Sequence, residues 1–187
     1  MQPLVFIHIN KTGGSSVALA LGLPQQMHAT ALEIRQLVTR EQWENAFKFA
    51  FTRNPWDKVV SHYHYRVQTN QTDLGNNAMD FNEWVRRSYG EQNPTYYDKP
   101  RFFMPQLDWI ADKSGKMIVD FVGQYENLAE DFGKACEQLG ITRELPHVRK
   151  SHHKHYSEYY EDDTRKIVER WFLKDIETFG YRFAANT

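Results

Sequence analysis

Between Asn10 and Ser16 the chain reads Asn-Lys-Thr-Gly-Gly-Ser-Ser, a run of one cation, two glycines and three hydroxyls. Placed between a strand and a helix, such a turn forms a natural anion site. Free backbone N–H groups and the positive end of a helix dipole then point at one place. Gly13 and Gly14 permit close backbone approach, Thr12, Ser15 and Ser16 add hydroxyl donors, and Lys11 adds a point charge. The order matters. A nucleoside-triphosphate loop reads Gly-x-x-x-x-Gly-Lys-Ser/Thr, with its lysine after the glycines. Here Lys11 precedes them and residues 1–9 hold no glycine, which counts against an ATP or GTP site. The plain alternative is a tight strand-to-helix turn with an exposed lysine.

A second anion-suited position follows about 40 residues on. Arg53 ends an apolar run and stands just before Asn54-Pro55, where loops of an open α/β sheet converge on ligands. Ser61 lies seven residues beyond Asn54, on the same helix face about two turns away. An arginine fork with a hydroxyl suits a phosphate. Taken singly, Arg53 reads as a surface ion-pair partner and Ser61 as a packed small residue. Two such loops ending successive strands favour a ligand with two separated anionic groups. The eight histidines offer several candidates for a base, His28 among them. His8 reads as a core or supporting residue, and His62 and His64 as structural or acceptor-lining. The tract His152, His153, His155 lacks a second ligand cluster at zinc spacing, so no metal is expected.

The elements that must position these groups are legible. Leu4–Ile7 reads as a buried strand and Val17–Leu21 as a helix stopped by Gly22 and Pro24. Thr30 with Glu33, and Thr39 with Gln42, have capping-box spacing. Phe47–Phe51 reads as a second strand, and Asn54-Pro55 as a helix start with Trp56, Val59, Val60, Tyr63 and Val67 on one face. Asp80 starts a helix through about Tyr89. Residues 117–122 read as a third strand, followed by helices over 128–139 and 164–179. Trp84, Phe102, Phe103, Trp171, Phe172 and Ile176 read as core, and Cys136 as a buried small hydrophobe. Alternating strands and helices predict an α/β domain, a three-layer arrangement with a small, mainly parallel central sheet. No linker of domain-splitting length interrupts residues 1–187, so one domain is expected.

Composition narrows the class. The 187 residues carry 23 Lys plus Arg against 24 Asp plus Glu, a net charge of −1. That balance provides no polybasic footprint for nucleic acid or acidic membranes. Cys136 is the single cysteine, so an intramolecular disulfide is excluded and nothing points to an oxidising compartment. No apolar run approaches membrane-span length and no signal peptide is evident. The expectation is a cytoplasmic protein.

At the level of motifs, Phe6–Ser16 resembles the 5′-phosphosulfate loop of sulfotransferases that use 3′-phosphoadenosine 5′-phosphosulfate (PAPS). Phe49–Ser61 resembles their 3′-phosphate motif, and the pair in order is specific. The branch most similar is family 2, the carbohydrate type that includes heparan sulfate 2-O-sulfotransferases. Val122–Leu128, Leu145–His147 and Asp175–Tyr181 resemble recurrent stretches of small members, so the similarity spans nearly the whole chain. Asn10 departs from the proline common there, and no stretch of these residues matches the membrane anchor of the Golgi enzymes, so a bacterial-type soluble relative is expected.

The resemblance implies a P-loop-like fold and a role for each matching position. Lys11 would bridge the phosphosulfate and support charge on the leaving phosphate, with Thr12, Gly13, Gly14, Ser15 and Ser16 binding it. Arg53 and Ser61 would hold the 3′-phosphate. Arg149, Lys150 and Ser151 resemble the late basic loop that closes over the nucleotide. The Met27–Ala31 segment resembles the one that supplies the base, which assigns that role to His28. The expected reaction is in-line sulfuryl transfer from PAPS to an acceptor hydroxyl of a carbohydrate or small molecule, leaving 3′,5′-bisphosphoadenosine (PAP), with no metal required. The alternatives are a small-molecule kinase and a noncatalytic nucleotide-binding module. Nothing separates an interface from core aromatics, so the sequence leaves room for a homo-oligomer.

Overall fold

In the computed structural model, residues 2–24, 28–77, 79–146 and 154–184 are described. The chain packs as two compact units, Met1–Arg53 with Gln106–Arg149, and Asn54–Pro105 with Lys150–Thr187.

The first unit holds a parallel sheet of three strands among the described residues, in the order β1 (Leu4–Ile7), β2 (Phe47–Thr52), β3 (Phe121–Gln124). Phe6 aligns with Phe49, and Phe49 with Phe121. The central strand is buried at every position, as expected of a parallel strand covered on both faces. Helices flank the sheet: α1 (Gly14–Ala20), α2 (Ala31–Leu37), α3 (Arg40–Asn45), α6 (Leu107–Ile110) and α7 (Leu128–Leu139). Phe6, Phe47, Phe49 and Phe51 pack with Val17 of α1 and with Phe132, Ala135, Cys136 and Leu139 of α7. Both capping boxes form. Thr30 accepts from the Glu33 amide and Thr39 from the Gln42 amide, starting α2 and α3 where their spacing places them.

The third strand is shorter than the apolar pattern predicts. Residues 116–118 are the return arm of a hairpin rather than sheet, whereas the Asp120 amide already donates to the Lys48 carbonyl of β2 at 2.8 Å. Met117 bridges Ala111 in antiparallel sense, and the Ile118 amide donates to the Ile110 carbonyl at 2.9 Å. The Asp112 carboxylate accepts from the Ser114 amide and hydroxyl and the Lys116 amide, which closes that turn.

The second unit is built on α4 (Pro55–Gln68), α5 (Phe81–Val85), α8 (Asp162–Trp171) and α9 (Leu173–Phe179). Asn54 caps α4 by accepting from the Trp56 amide at 3.1 Å, with Pro55 in the first turn. Asp80 caps α5, which runs into a wider π-type turn over Arg86–Gly90. Trp84, Phe103 and Phe172 are fully buried with Trp56, Val59 and Val60. The helix predicted over 164–179 is two. At Phe172 the backbone leaves helical geometry with ψ near 22°, and that residue is buried in the core while the helix axis restarts beyond it. Among the described residues, no helix is long and apolar enough to cross a membrane.

Candidate active site

The C-terminal end of β1 runs into the Asn10–Ser16 loop, which opens α1. Lys11 sits at φ 65°, in the left-handed region that side chains avoid at a cost of about 1–2 kcal/mol. Outliers of this kind mark sites where the surroundings over-determine the backbone. Thr12 stabilises the turn, its hydroxyl donating to the Ile9 carbonyl at 3.0 Å. That hydroxyl proton is therefore used within the loop, and the Thr12 contribution to an anion reduces to its backbone amide. Gly13 has φ 80° and caps α1. A Cβ there would stand 2.7 Å from Leu128 and 3.1 Å from Tyr125. The Ser16 and Val17 amides return to the Gly13 carbonyl, so by position the Gly14 and Ser15 amides have no acceptor within the helix. Ser15 is exposed and Ser16 buried.

Arg53 follows β2 directly and is only 4% exposed. Its Nη1 donates to the Lys11 carbonyl at 3.1 Å, joining the ends of two adjacent strands. Its guanidinium lies 4.1 Å from the centre of the Tyr125 ring, and the edge of that ring also abuts Gly13. The Arg53 backbone is clamped by Gln106, which is fully buried. The Arg53 amide donates to Gln106 Oε1, and Gln106 Nε2 donates to the Arg53 carbonyl, both at 2.8 Å. Gln106 thus substitutes for a neighbouring strand where β2 runs out of partners.

Two cations brought this close are costly in the absence of an anion. Burial, and then the neighbouring Arg53 charge, push the Lys11 ammonium down to about 8. An anion placed at the loop would relieve the second cause, so the residues present fit a phosphate or sulfate group.

His28 lies beside the same strand end. Its Nδ1 is 2.8 Å from the His8 carbonyl. A carbonyl only accepts, so Nδ1 carries the proton and Nε2 of the neutral ring carries the lone pair. The His8 and His28 rings are 4.5 Å apart between centroids, and Trp109 meets His28 edge-on at 6.2 Å. Burial, with His28 second, pushes His8 down to about 4.

The first unit therefore brings together Lys11, Gly13, Gly14, Arg53 and, at the same strand end, His28. Ser61 lies in the second unit, buried on α4. His62 is buried there against Trp84 and Phe103, and His64 bonds the Tyr159 hydroxyl at 2.9 Å, so both have structural roles. Arg149, Lys150 and Ser151 lie outside the described residues, as do His152 and His153. Gln106 and Tyr125 as supports of Arg53 escape sequence reasoning. An isolated glutamine before a short helix carries no signal, and Tyr125 reads only as part of a recurrent stretch.

The sequence matches the Sulfotransferase family over residues 2–182. The chain belongs to that family. Its fold is shared with the crystal structure of a sulfotransferase from Alicyclobacillus acidocaldarius, at a TM-score of 0.52 and 16% identity, covering 98% of each chain. An uncharacterised protein of Archaeoglobus fulgidus is 36% identical over 115 residues, 60% of this chain and 82% of that protein. As a sulfotransferase the chain moves a sulfuryl group, a reaction that needs an anion clamp and a proton acceptor. The Lys11–Ser16 loop, Arg53 and His28 are the groups of the first unit suited to those tasks.

Proposed function

We propose that this sulfotransferase takes its sulfuryl group from PAPS and passes it to a hydroxyl of a carbohydrate or small molecule, with residues 1–187 acting as one catalytic domain. The observation that carries this reading is the Arg53 Nη1 to Lys11 carbonyl bond at 3.1 Å, which pins two anion-suited strand ends to each other. PAPS supplies an activated sulfuryl group on a 5′-phosphate and a separate 3′-phosphate. Lys11, with the amides and hydroxyls of the loop through Ser16, binds the phosphosulfate. Arg53 binds the 3′-phosphate. The motif assigns Ser61 to that phosphate and Arg149, Lys150 and Ser151 to closing over the nucleotide.

His28 Nε2 accepts the proton of the acceptor hydroxyl. The freed oxygen pair forms the new bond to sulfur. The bond from sulfur to the bridging oxygen breaks, and its pair stays on the phosphate as PAP leaves. Lys11 stabilises the charge as it develops on that oxygen. Cationic side chains suffice for this, and no metal is called for.

Lys11→Ala and Arg53→Ala should each lower turnover of radiolabelled donor by at least 10²-fold, the usual cost of removing a charge-stabilising donor. Calorimetric titration with PAP should show weakened binding in both. Near-normal turnover in either variant would remove that residue from the site. Tight PAP binding by the wild type, with no transfer to any hydroxyl tested, would mark a noncatalytic module.

A further inference from the structure

We propose that His8 is a binding residue of the transfer site, a neutral imidazole whose Nε2–H donates to the sulfuryl end of the phosphosulfate held on the Lys11–Ser16 loop. The proposal rests on the phosphosulfate reading of that loop.

Three observations carry it. The His8 ring, stacked on Phe6 at 5.7 Å, lies with its Cδ2–Nε2 edge on the first residue of α1. A Cβ on Gly14 would come within 2.1 Å of Cδ2 and 2.4 Å of Nε2. Position 14 is therefore glycine to admit His8, because the backbone there is ordinary helix and needs no special φ. The ring nitrogen Nε2 is thereby fixed against the loop backbone.

The second observation concerns the other nitrogen. Among the described residues, His8 Nδ1 is buried and meets no hydrogen-bond partner. A proton on it would be an orphaned buried donor, which folded proteins avoid more strictly than an orphaned acceptor. The neutral ring therefore keeps its proton on Nε2. The doubly protonated ring would orphan the same donor, and burial first, then the neighbouring His28, hold His8 neutral.

The third is the partner ring. His28 donates through Nδ1 to the His8 carbonyl and so carries its lone pair on Nε2. Two imidazoles 4.5 Å apart thus present opposite chemistry in their neutral forms, a lone pair on one and an N–H on the other. The base must lie beside the oxygen that attacks sulfur, so a donor on the adjacent ring meets the sulfuryl oxygens rather than the 3′-phosphate. Among the described residues, no other histidine shares this arrangement.

The discriminating probe is the pair PAPS and PAP, which differ by the sulfuryl group. Without acceptor, wild type should bind both. His8→Leu should weaken PAPS about tenfold relative to PAP, the worth of one hydrogen bond of about 1.4 kcal/mol, and His8→Gln should recover most of that loss. Equal weakening of both ligands, or none, overturns the assignment while leaving the loop reading intact. Failure of wild type to bind either ligand overturns the loop reading itself. Should His8→Leu not fold, long-range 15N–1H NMR on the wild type decides the tautomer. A proton on Nε2 of His8 supports the proposal, and a proton on Nδ1 overturns it.

Discussion

Position 11 joins two conflicting demands, a strained backbone and a cation placed where cations are unwelcome. Lys11 takes a left-handed φ, and its ammonium is held down to about 8 against an ordinary 10.5. The sign of the linkage follows. Between pH 8 and 10.5 the unfolded chain binds a proton that the folded chain does not, so this residue favours folding increasingly as pH rises through that window. Below pH 8 the full penalty of the charge is present. A bound anion reverses it by stabilising the ammonium. At pH 8, PAP binding should take up about half a proton, falling toward zero at pH 6.5. Titration calorimetry in buffers of different ionisation enthalpy reads this directly. No proton uptake at pH 8 would place Lys11 away from the ligand. At this scale the sequence offers Lys11, the glycines and Arg53 as anion-suited by kind and spacing, and the structure joins Lys11 and Arg53 at adjacent strand ends. What stayed hidden is pairwise. The hydroxyl of Thr12 looks like a ligand donor until Ile9 is seen to take its proton.

Elements place these residues through contacts far apart in sequence. β2 ends at Thr52, and the next backbone groups, those of Arg53, would face an unpaired edge. Gln106 supplies both missing bonds from 53 residues away, in a fully buried position. Gln106→Ala should remove both bonds to the buried Arg53 backbone and cost about 1–3 kcal/mol for each. Urea unfolding should show that loss in the midpoint, and PAP affinity should fall because Arg53 is no longer held. Unchanged stability and affinity together would show the clamp to be dispensable. Gln106→Glu separates the two functions, since it retains an acceptor for the Arg53 amide and loses the donor to the carbonyl. Local signals served well where local chemistry decides, as at Thr30, Thr39 and Asn54, whose side chains cap their own helices. They failed where non-local packing decides. An apolar run at 117–119 looks like a strand, but Met117 and Ile118 pair back on Ala111 and Ile110, and Phe172 breaks a helical pattern by turning into the core.

For the molecule as a whole, a net charge of −1 conceals local imbalance, and acid stability exposes it. His8 is held neutral down to about 4 by burial and by His28, whereas in the unfolded chain it titrates near 6.5. Its folded pKa is depressed, so between pH 6.5 and 4 the unfolded state binds the extra proton. Stability should therefore fall as pH drops through that window. Asp112 and Asp163 lie below the ordinary carboxylate range through hydrogen bonds to Ser114 and to Arg86 respectively. Their contribution is lost only at lower pH, below the ordinary carboxylate value. The two losses are therefore separable on the pH axis. Urea midpoints measured from pH 7 to 3 should decline in two stages, and His8→Gln should flatten the first while leaving the second. A first stage that survives His8→Gln would mean that His8 is not the group titrating there. Because His8 meets Gly14 edge-on, Gly14→Ala should weaken the fold on its own, with the Cβ meeting the ring at 2.1 Å. The double variant His8→Ala, Gly14→Ala should recover much of that loss, since the clash needs both partners.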